Sequence, residues 1–116
     1  MDDRKQSPIF TRTSDFLLWL MEHTENFPKS ERFRMGKRLE DCAFQFYELL
    51  ILATRSAKRK RQLLLEADVE LEKLRLYMRM SQRRKLTNLP QYHFAANALI
   101  EIGKLLGGWL KTIPEA

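Results

Sequence analysis

The stretch MGKRLEDCAFQFYELLILA, residues 35–53, places apolar side chains at alternating steps of four and three residues. The repeating positions are Met35, Leu39, Cys42, Phe46, Leu49 and Ala53, and Ala43 and Leu50 lie beside them. A mean spacing of 3.5 residues is typical of a helix that packs in a bundle. Gly36 costs roughly 1 kcal/mol relative to alanine inside a helix, so close backbone packing is expected there. The stretch therefore predicts a long helix that faces a core.

Two helices are predicted in the first half of the chain. The first spans residues 14–25, with Ser14 or Thr13 as its N-cap. Pro28 ends it, because a proline disfavours the helical conformation in the residue before it. The second begins after Ser30 as N-cap, and Glu31 in its first turn suits the helix dipole. The apolar side of the first helix comprises Phe16, Leu17, Leu20 and Met21.

Two further helices are predicted in the second half. The third starts within residues 57–61 and reaches about residue 85, with an apolar stripe of Leu64, Ala67, Leu71, Leu74 and Met78. The fourth starts at Asn88, with Gln91 in the capping-box position and Pro90 in the first turn. Its stripe is predicted at Ala95, Ala98, Ile102, Leu105 and Trp109. The pair Gly107-Gly108 predicts fraying or a C-cap near its end.

Short connections between these helices predict an all-α, up-down-up-down antiparallel four-helix bundle over residues 14–111. Residues 1–13 are predicted to be an N-terminal extension and residues 112–116 a C-terminal tail. A chain of 116 residues is the size of one domain. Four glycines and four prolines are few for a protein rich in strands or loops. The composition therefore agrees with an all-helical fold.

Cysteine content and hydropathy bear on the compartment. The single cysteine, Cys42, cannot form an internal disulfide, which favours a reducing, cytoplasmic location. The apolar run FLLWLM at 16–21 is too short to span a bilayer. We therefore expect no membrane insertion.

The formal net charge is +6, and most of the cations fall in three short segments. They are Lys29, Arg32, Arg34, Lys37 and Arg38; then Arg55, Lys58, Arg59, Lys60 and Arg61; then Lys73, Arg75, Arg79, Arg83, Arg84 and Lys85. Antiparallel packing brings the first segment to the same end of the bundle as residues 79–85, and RSAKRKR (55–61) to the opposite end. Such clusters favour binding to a polyanion, nucleic acid above all. The alternative is that individual cations stabilise helix C-termini or keep the protein soluble.

The residue types needed for catalysis or metal binding are sparse. His23 and His93 lie on different predicted helices, and neither has the spacing of a metal site. Cys42 falls in a core stripe and is predicted to be an inert thiol. Tyr92 and Phe94 could stack on bases, although core or interface packing is the commoner role for such residues. We therefore predict a protein without enzymatic activity, cofactor or metal.

Five segments carry a resemblance to a known family. They are PIFTRTSDFLLWL (8–20), FPKSERFRMGKRLED (27–41), LEKLRLYMRM (71–80), LPQY (89–92) and, most specifically, EIGKLLGGWLK (101–111). Together they resemble the four-helix-bundle family that contains the accessory variability determinant (Avd) of diversity-generating retroelements. Proteins encoded in intervening sequences of bacterial large-subunit ribosomal RNA genes belong to the same broad group. The resemblance covers residues 8–111.

The resemblance implies a non-enzymatic partner of a reverse transcriptase. Family members assemble as a barrel-like homopentamer whose basic surface binds the reverse transcriptase and its template RNA or DNA copy, in support of adenine-directed mutagenic copying. Carried over by position, that surface would comprise Arg32, Lys37, Arg38, Arg75, Arg79, Arg83, Arg84 and Lys85. The resemblance is weaker at RSAKRKR. Gly103, Gly107 and Trp109 would make subunit contacts or close helix contacts, with packing inside one bundle as the alternative.

Two other functions remain open from the sequence. One is a ribosomal-RNA intervening-sequence protein that binds RNA without a polymerase partner. The other is a hydrolase or nuclease that uses His93 and nearby arginines. The first shares the fold and the basic surface, whereas the second would need a catalytic constellation that the sequence does not display.

Overall fold

The computed structural model describes residues 6–115, which form four long helices and contain no strand. Helix α1 spans Ser7–Glu25, α3 spans Lys60–Arg83 and α4 spans Leu89–Lys111. Helix α2 runs without a break through three segments: Lys29–Glu31, a π-helical turn at Arg32–Gly36, and Lys37–Arg55. The predicted four-helix fold is confirmed.

Contacts between distant parts of the chain give the helix directions. His23 near the end of α1 bonds to Thr87 just before α4, and Phe10 near the start of α1 contacts Trp109 near the end of α4. Glu31 in α2 contacts Arg84 directly after α3. The pairs α1/α4 and α2/α3 therefore run antiparallel, in a body that measures 45 by 23 by 20 Å.

The core consists of the apolar stripes that face inward from the four helices. Every position of the stripes predicted for the second and third helices is buried, which confirms both. The stripe predicted for the fourth helix is wrong at Ala98 and Leu105, which are half-buried, whereas Leu99 and Leu106 are fully enclosed. The α4 stripe therefore follows positions 95, 99, 102, 106 and 109.

Both predicted N-caps in the first half of the chain are wrong. Helix α1 begins at Ser7, with a proline in its first turn, and buries Ile9 and Thr13. The hydroxyl of Ser14 instead donates to the carbonyl oxygen of Thr11 at 3.0 Å, inside the helix. Helix α2 begins at Lys29, one residue before the predicted cap Ser30. Residues 7–13 are consequently helical, and Ile9 joins the core.

Of the two predictions for the ends of α4, the one for its start is confirmed and the one for its end is wrong. The Asn88 side chain accepts from the Gln91 backbone N–H at 2.8 Å, and the Gln91 side chain accepts from the Asn88 N–H at 2.9 Å. This is the predicted capping box. Gly107 and Gly108 do not end the helix, because it continues to Lys111.

The π-helical turn in α2 lies where this helix packs against α1. Gly36 closes the turn and is buried. A Cβ atom on Gly36 would lie 3.5 Å from the Glu31 carbonyl oxygen and 3.5 Å from Thr24 Cβ. These are ordinary van der Waals distances, so the close backbone packing expected at Gly36 is not found.

A buried polar chain joins α1 to the loop between α3 and α4. The ring atom Nε2 of His23 lies 2.7 Å from the Thr87 hydroxyl, which lies 2.8 Å from the Ser81 hydroxyl. The His23 ring also stacks on Trp19, with centroids 4.8 Å apart. Burial lowers the pKa of His23 below 6.5, because desolvation disfavours the charged imidazole.

The position of His23 predicts a pH-dependent stability. Because its pKa is lower in the folded protein, the unfolded chain binds the proton first as pH falls. The stability of the fold with a neutral His23 is therefore fully present above about pH 6.5 and is lost progressively below that pH. We expect His23→Gln to flatten the fall in unfolding free energy between about pH 7 and 5, measured by denaturant titration. His93→Gln, at an exposed position, is the control and should keep the wild-type slope; equal slopes in both variants would contradict the assignment.

Candidate nucleic-acid interface

The start of α2 and the end of α3 meet at one end of the bundle, as the charge pattern predicted. Arg84 Nη2 lies 2.9 Å from Glu31 Oε1. The same carboxylate oxygen accepts from Arg34 Nη1 at 3.0 Å. Glu31, expected only to suit a helix dipole, is therefore a buried acid that joins two arginines from two helices.

These side chains line a shallow groove of about 400 Å³ between α2 and α3. We call it the basic groove; its lining residues are Glu31, Arg34, Met35, Arg38, Tyr77, Met80 and Arg84. Three of its side chains are guanidiniums, which bind phosphate oxygens in a bidentate manner. The groove combines this charge with one aromatic and two thioether side chains.

Further along the two helices the charge is balanced. Arg38 and Tyr77 also line a neighbouring hollow, together with Asp41, Cys42, Gln45, Glu70 and Lys73. Lys73 Nζ donates to both carboxylate oxygens of Glu70 at 3.1 Å, and this hydrogen bonding raises the pKa of Lys73. This hollow therefore adds no net positive charge, whereas Arg34 and Arg38 also line a hollow on their other side, with Phe33, Lys37 and Asp41.

The cations in the second half of α3 face two different sides of the helix. Arg75 and Arg79 line a separate groove against α4, with Tyr92 on its other wall. Arg75 Nη2 donates to the Leu99 carbonyl oxygen at 3.4 Å, and its guanidinium lies against Gly103. Arg83, Arg84 and Lys85 follow at the exposed end of α3, where Lys85 takes the left-handed conformation with φ of 64°.

The RSAKRKR segment at the opposite end is only partly available to solvent. Arg55, Lys58 and Arg59 are exposed, but Lys60 is buried at the start of α3. Arg61 Nη1 donates to the Ile113 carbonyl oxygen at 3.4 Å, and its Nη2 lies 3.7 Å from Glu115. Arg61 therefore ties the start of α3 to the C-terminal segment.

The remaining predicted site residues lie in several environments. Arg32 is exposed, and Lys37 pairs with Asp41 at 2.9 Å on the exposed side of α2. Gly103 lies under Arg75, whereas a Cβ on Gly107 would meet no atom within 4 Å. Trp109 is buried, with its ring centroid 6.1 Å from that of Phe10, and so packs inside the bundle.

The groups considered for chemistry are dispersed. Cys42 is buried, and burial raises the pKa of its thiol. His93 is exposed on α4, while His23 lies in the polar chain beside Thr87. Phe94 is exposed but contacts Trp19, with centroids 5.1 Å apart. Between residues 6 and 115 there is no group of three or more His, Cys, Asp or Glu side chains that could hold a metal ion.

Within residues 6–115, no helix has both the length and the apolar character needed to cross a bilayer.

Sequence reasoning did not name Tyr77, Met80 or Glu31 as part of the interface. The spacing contains a signal for two of them. Lys73, Tyr77 and Arg84 follow one another at steps of four and seven, which places them on one side of a helix. Glu31 and Arg34 stand three residues apart, a spacing that permits an ion pair within one helix.

Comparison with known proteins gives one decisive result. The model of the family described as bAvd-like matches residues 8–113. The chain belongs to the bAvd-like family. This confirms the resemblance to accessory variability determinant proteins and supports an accessory role at the level of the family. The bAvd-like family is not a known family of enzymes. A comparison with curated proteins finds no match.

The placement of the cations predicts unequal contributions to polyanion binding. We expect Arg38→Gln to lower the slope of log affinity against log salt for single-stranded RNA by about 0.7, the value for one lost phosphate contact. Arg61→Gln removes the same charge, but Arg61 is held against the C-terminal segment, so its slope should stay near wild type. Salt-titrated fluorescence anisotropy measures both. Equal reductions of the salt slope in both variants would show that RNA binding depends on net charge and not on the groove.

Proposed function

We propose that this bAvd-like protein is a non-enzymatic accessory factor of a diversity-generating retroelement. It binds a reverse transcriptase and the template RNA or its DNA copy, and it thereby supports adenine-directed mutagenic copying. The observation that carries the proposal is the family match over residues 8–113. The clustering of Arg34, Arg38 and Arg84 in the basic groove supports the nucleic-acid part.

We propose further that five copies assemble into a barrel, as the resemblance implies. Support comes from the side of α3 that faces away from the core. Leu65, Val69 and Leu76 are all exposed there, at spacings that keep them on one side of the helix. Val69 alone is 56% exposed. Exposed apolar side chains aligned along one side of a helix are a common feature of protein contacts.

Deleting the gene from its retroelement tests the accessory role. We expect adenine-directed substitutions in the diversified target gene to disappear and to return when the wild-type chain is supplied. The reverse transcriptase encoded beside it should also co-purify with the tagged chain after nuclease treatment, because a direct contact does not need an RNA bridge. Undiminished adenine substitution in the deletion strain would refute the proposal. A gene that lies inside a ribosomal RNA operon would favour the intervening-sequence alternative.

Native mass spectrometry tests the assembly. Five chains of 13.9 kDa should give a complex of roughly 70 kDa. We expect Val69→Asp to shift the population towards smaller species, because a charge buried in an apolar contact is costly. Glu72→Asp, a change nearby on α3 that keeps the charge, is the control and should leave the mass unchanged. A wild-type protein that remains a monomer at micromolar concentration would rule out the pentamer.

A further inference from the structure

A single buried oxygen organises the basic groove. Glu31 Oε1 accepts hydrogen bonds from Arg34 Nη1 at 3.0 Å and from Arg84 Nη2 at 2.9 Å. The Glu31 side chain is only 9% exposed, whereas Arg34 is 70% and Arg84 is 48% exposed. The anchor is thus inside the protein, and the two guanidiniums project from it towards solvent. Because each guanidinium has five N–H groups, most donors remain free for a ligand.

The other side chains of the groove suit the phosphate and the base of a nucleotide. Arg38 adds a third guanidinium to the same concave surface. Tyr77 is half-buried, and Met80 is partly exposed, so both offer apolar area beside the arginines. Aromatic side chains beside a positively charged groove are the usual means of binding single-stranded nucleic acid, because every base has a face that can stack.

The extent of the charge limits the direction in which a bound strand can continue. Beyond Arg38 and Tyr77 the hollow contains Asp41 and the Glu70–Lys73 ion pair. These groups add no net positive charge. A strand that followed the groove towards Glu70 would therefore gain nothing from its next phosphates. On the other side, Arg34 and Arg38 continue into a hollow with Lys37 and the exposed Phe33.

We infer that the basic groove holds a nucleotide of single-stranded RNA, with its phosphate on Arg34, Arg38 and Arg84 and its base against Tyr77. Glu31 is a positioning residue: it touches no ligand but holds two of the three guanidiniums in place. This inference rests on the proposed function, since it names the site and the strandedness of the RNA. A paired base is already stacked within its duplex, so the Tyr77 contact requires an unpaired strand.

The aromatic contact is tested by fluorescence anisotropy with a short oligouridylate and with an RNA duplex of equal length. Tyr77→Ala should weaken binding of the single strand by about fivefold or more and leave duplex binding unchanged. Tyr77→Phe keeps the ring and should bind as wild type. Tyr92→Ala is the matched control, because Tyr92 lies in the other arginine-lined groove, with Arg75 and Arg79.

The positioning role of Glu31 is tested by comparing two changes that each remove one negative charge. Glu31→Gln should weaken binding of the single strand several-fold although the protein becomes more positive, because Arg34 and Arg84 lose their shared anchor. Asp41→Asn removes an exposed acid on the same helix and should strengthen binding or leave it unchanged. Thermal melting confirms that each variant is folded before its affinity is compared.

The possible results distinguish failure of the proposed nucleic-acid function from failure of the groove assignment. A wild-type protein that binds neither RNA would refute the proposed nucleic-acid function itself. If the wild type binds RNA and Tyr77→Ala matches Tyr92→Ala, only the groove assignment is wrong. Stronger binding by Glu31→Gln would show that this acid competes with phosphate and does not position the arginines. Loss of reverse-transcriptase co-purification without a change in RNA affinity would make the groove a protein contact, which also overturns the inference.

Discussion

The antiparallel packing of α2 against α3 determines most of what this protein can do. Both helices bury continuous apolar stripes in one core, and each enclosed leucine contributes about 1.5–3 kcal/mol. This packing forces the start of α2 and the end of α3 together, although both are rich in arginine. Apolar burial therefore offsets the repulsion between like charges, and Glu31 reduces that repulsion further by accepting from Arg34 and Arg84.

Cations that look equivalent along the chain differ in their surroundings. Arg84 shares a carboxylate, Arg75 lies against a glycine on α4, and Arg61 contacts the C-terminal segment. Each such contact restricts the side chain and satisfies some of its hydrogen-bond donors. The three arginines therefore differ in how well they can bind a phosphate. The net charge of +6 describes long-range attraction to a polyanion, whereas the local contacts decide where binding is strongest.

The sequence predicted the helices best where apolar spacing was unambiguous. The stripes of α2 and α3 were correct because positions such as Leu39, Leu71 and Leu74 stand between charged residues and fix the phase, although residues 49–53 and 63–65 are unbroken apolar runs. In α4, Leu105 and Leu106 stand next to each other, and periodicity alone did not identify which of them faces the core. The start of α1 was missed because its first turns carry few apolar residues. The groove was only half predicted. Arg38 and Arg84 were named, but only the contact between α2 and α3 brings Glu31 and Tyr77 together with them, although spacing within each helix contains a partial signal.

The π-helical turn at Arg32–Gly36 changes the direction in which the preceding side chains of α2 point, relative to those that follow. A π turn accommodates one residue more than an α turn, and such turns are frequent at functional sites. An α-helix advances about 100° per residue, so deletion of one residue here would rotate the preceding segment by about that angle. Glu31 would then point away from Arg84 while the core stripe that follows Gly36 kept its register. The inserted residue thus allows the interface and the core to be oriented independently within one helix.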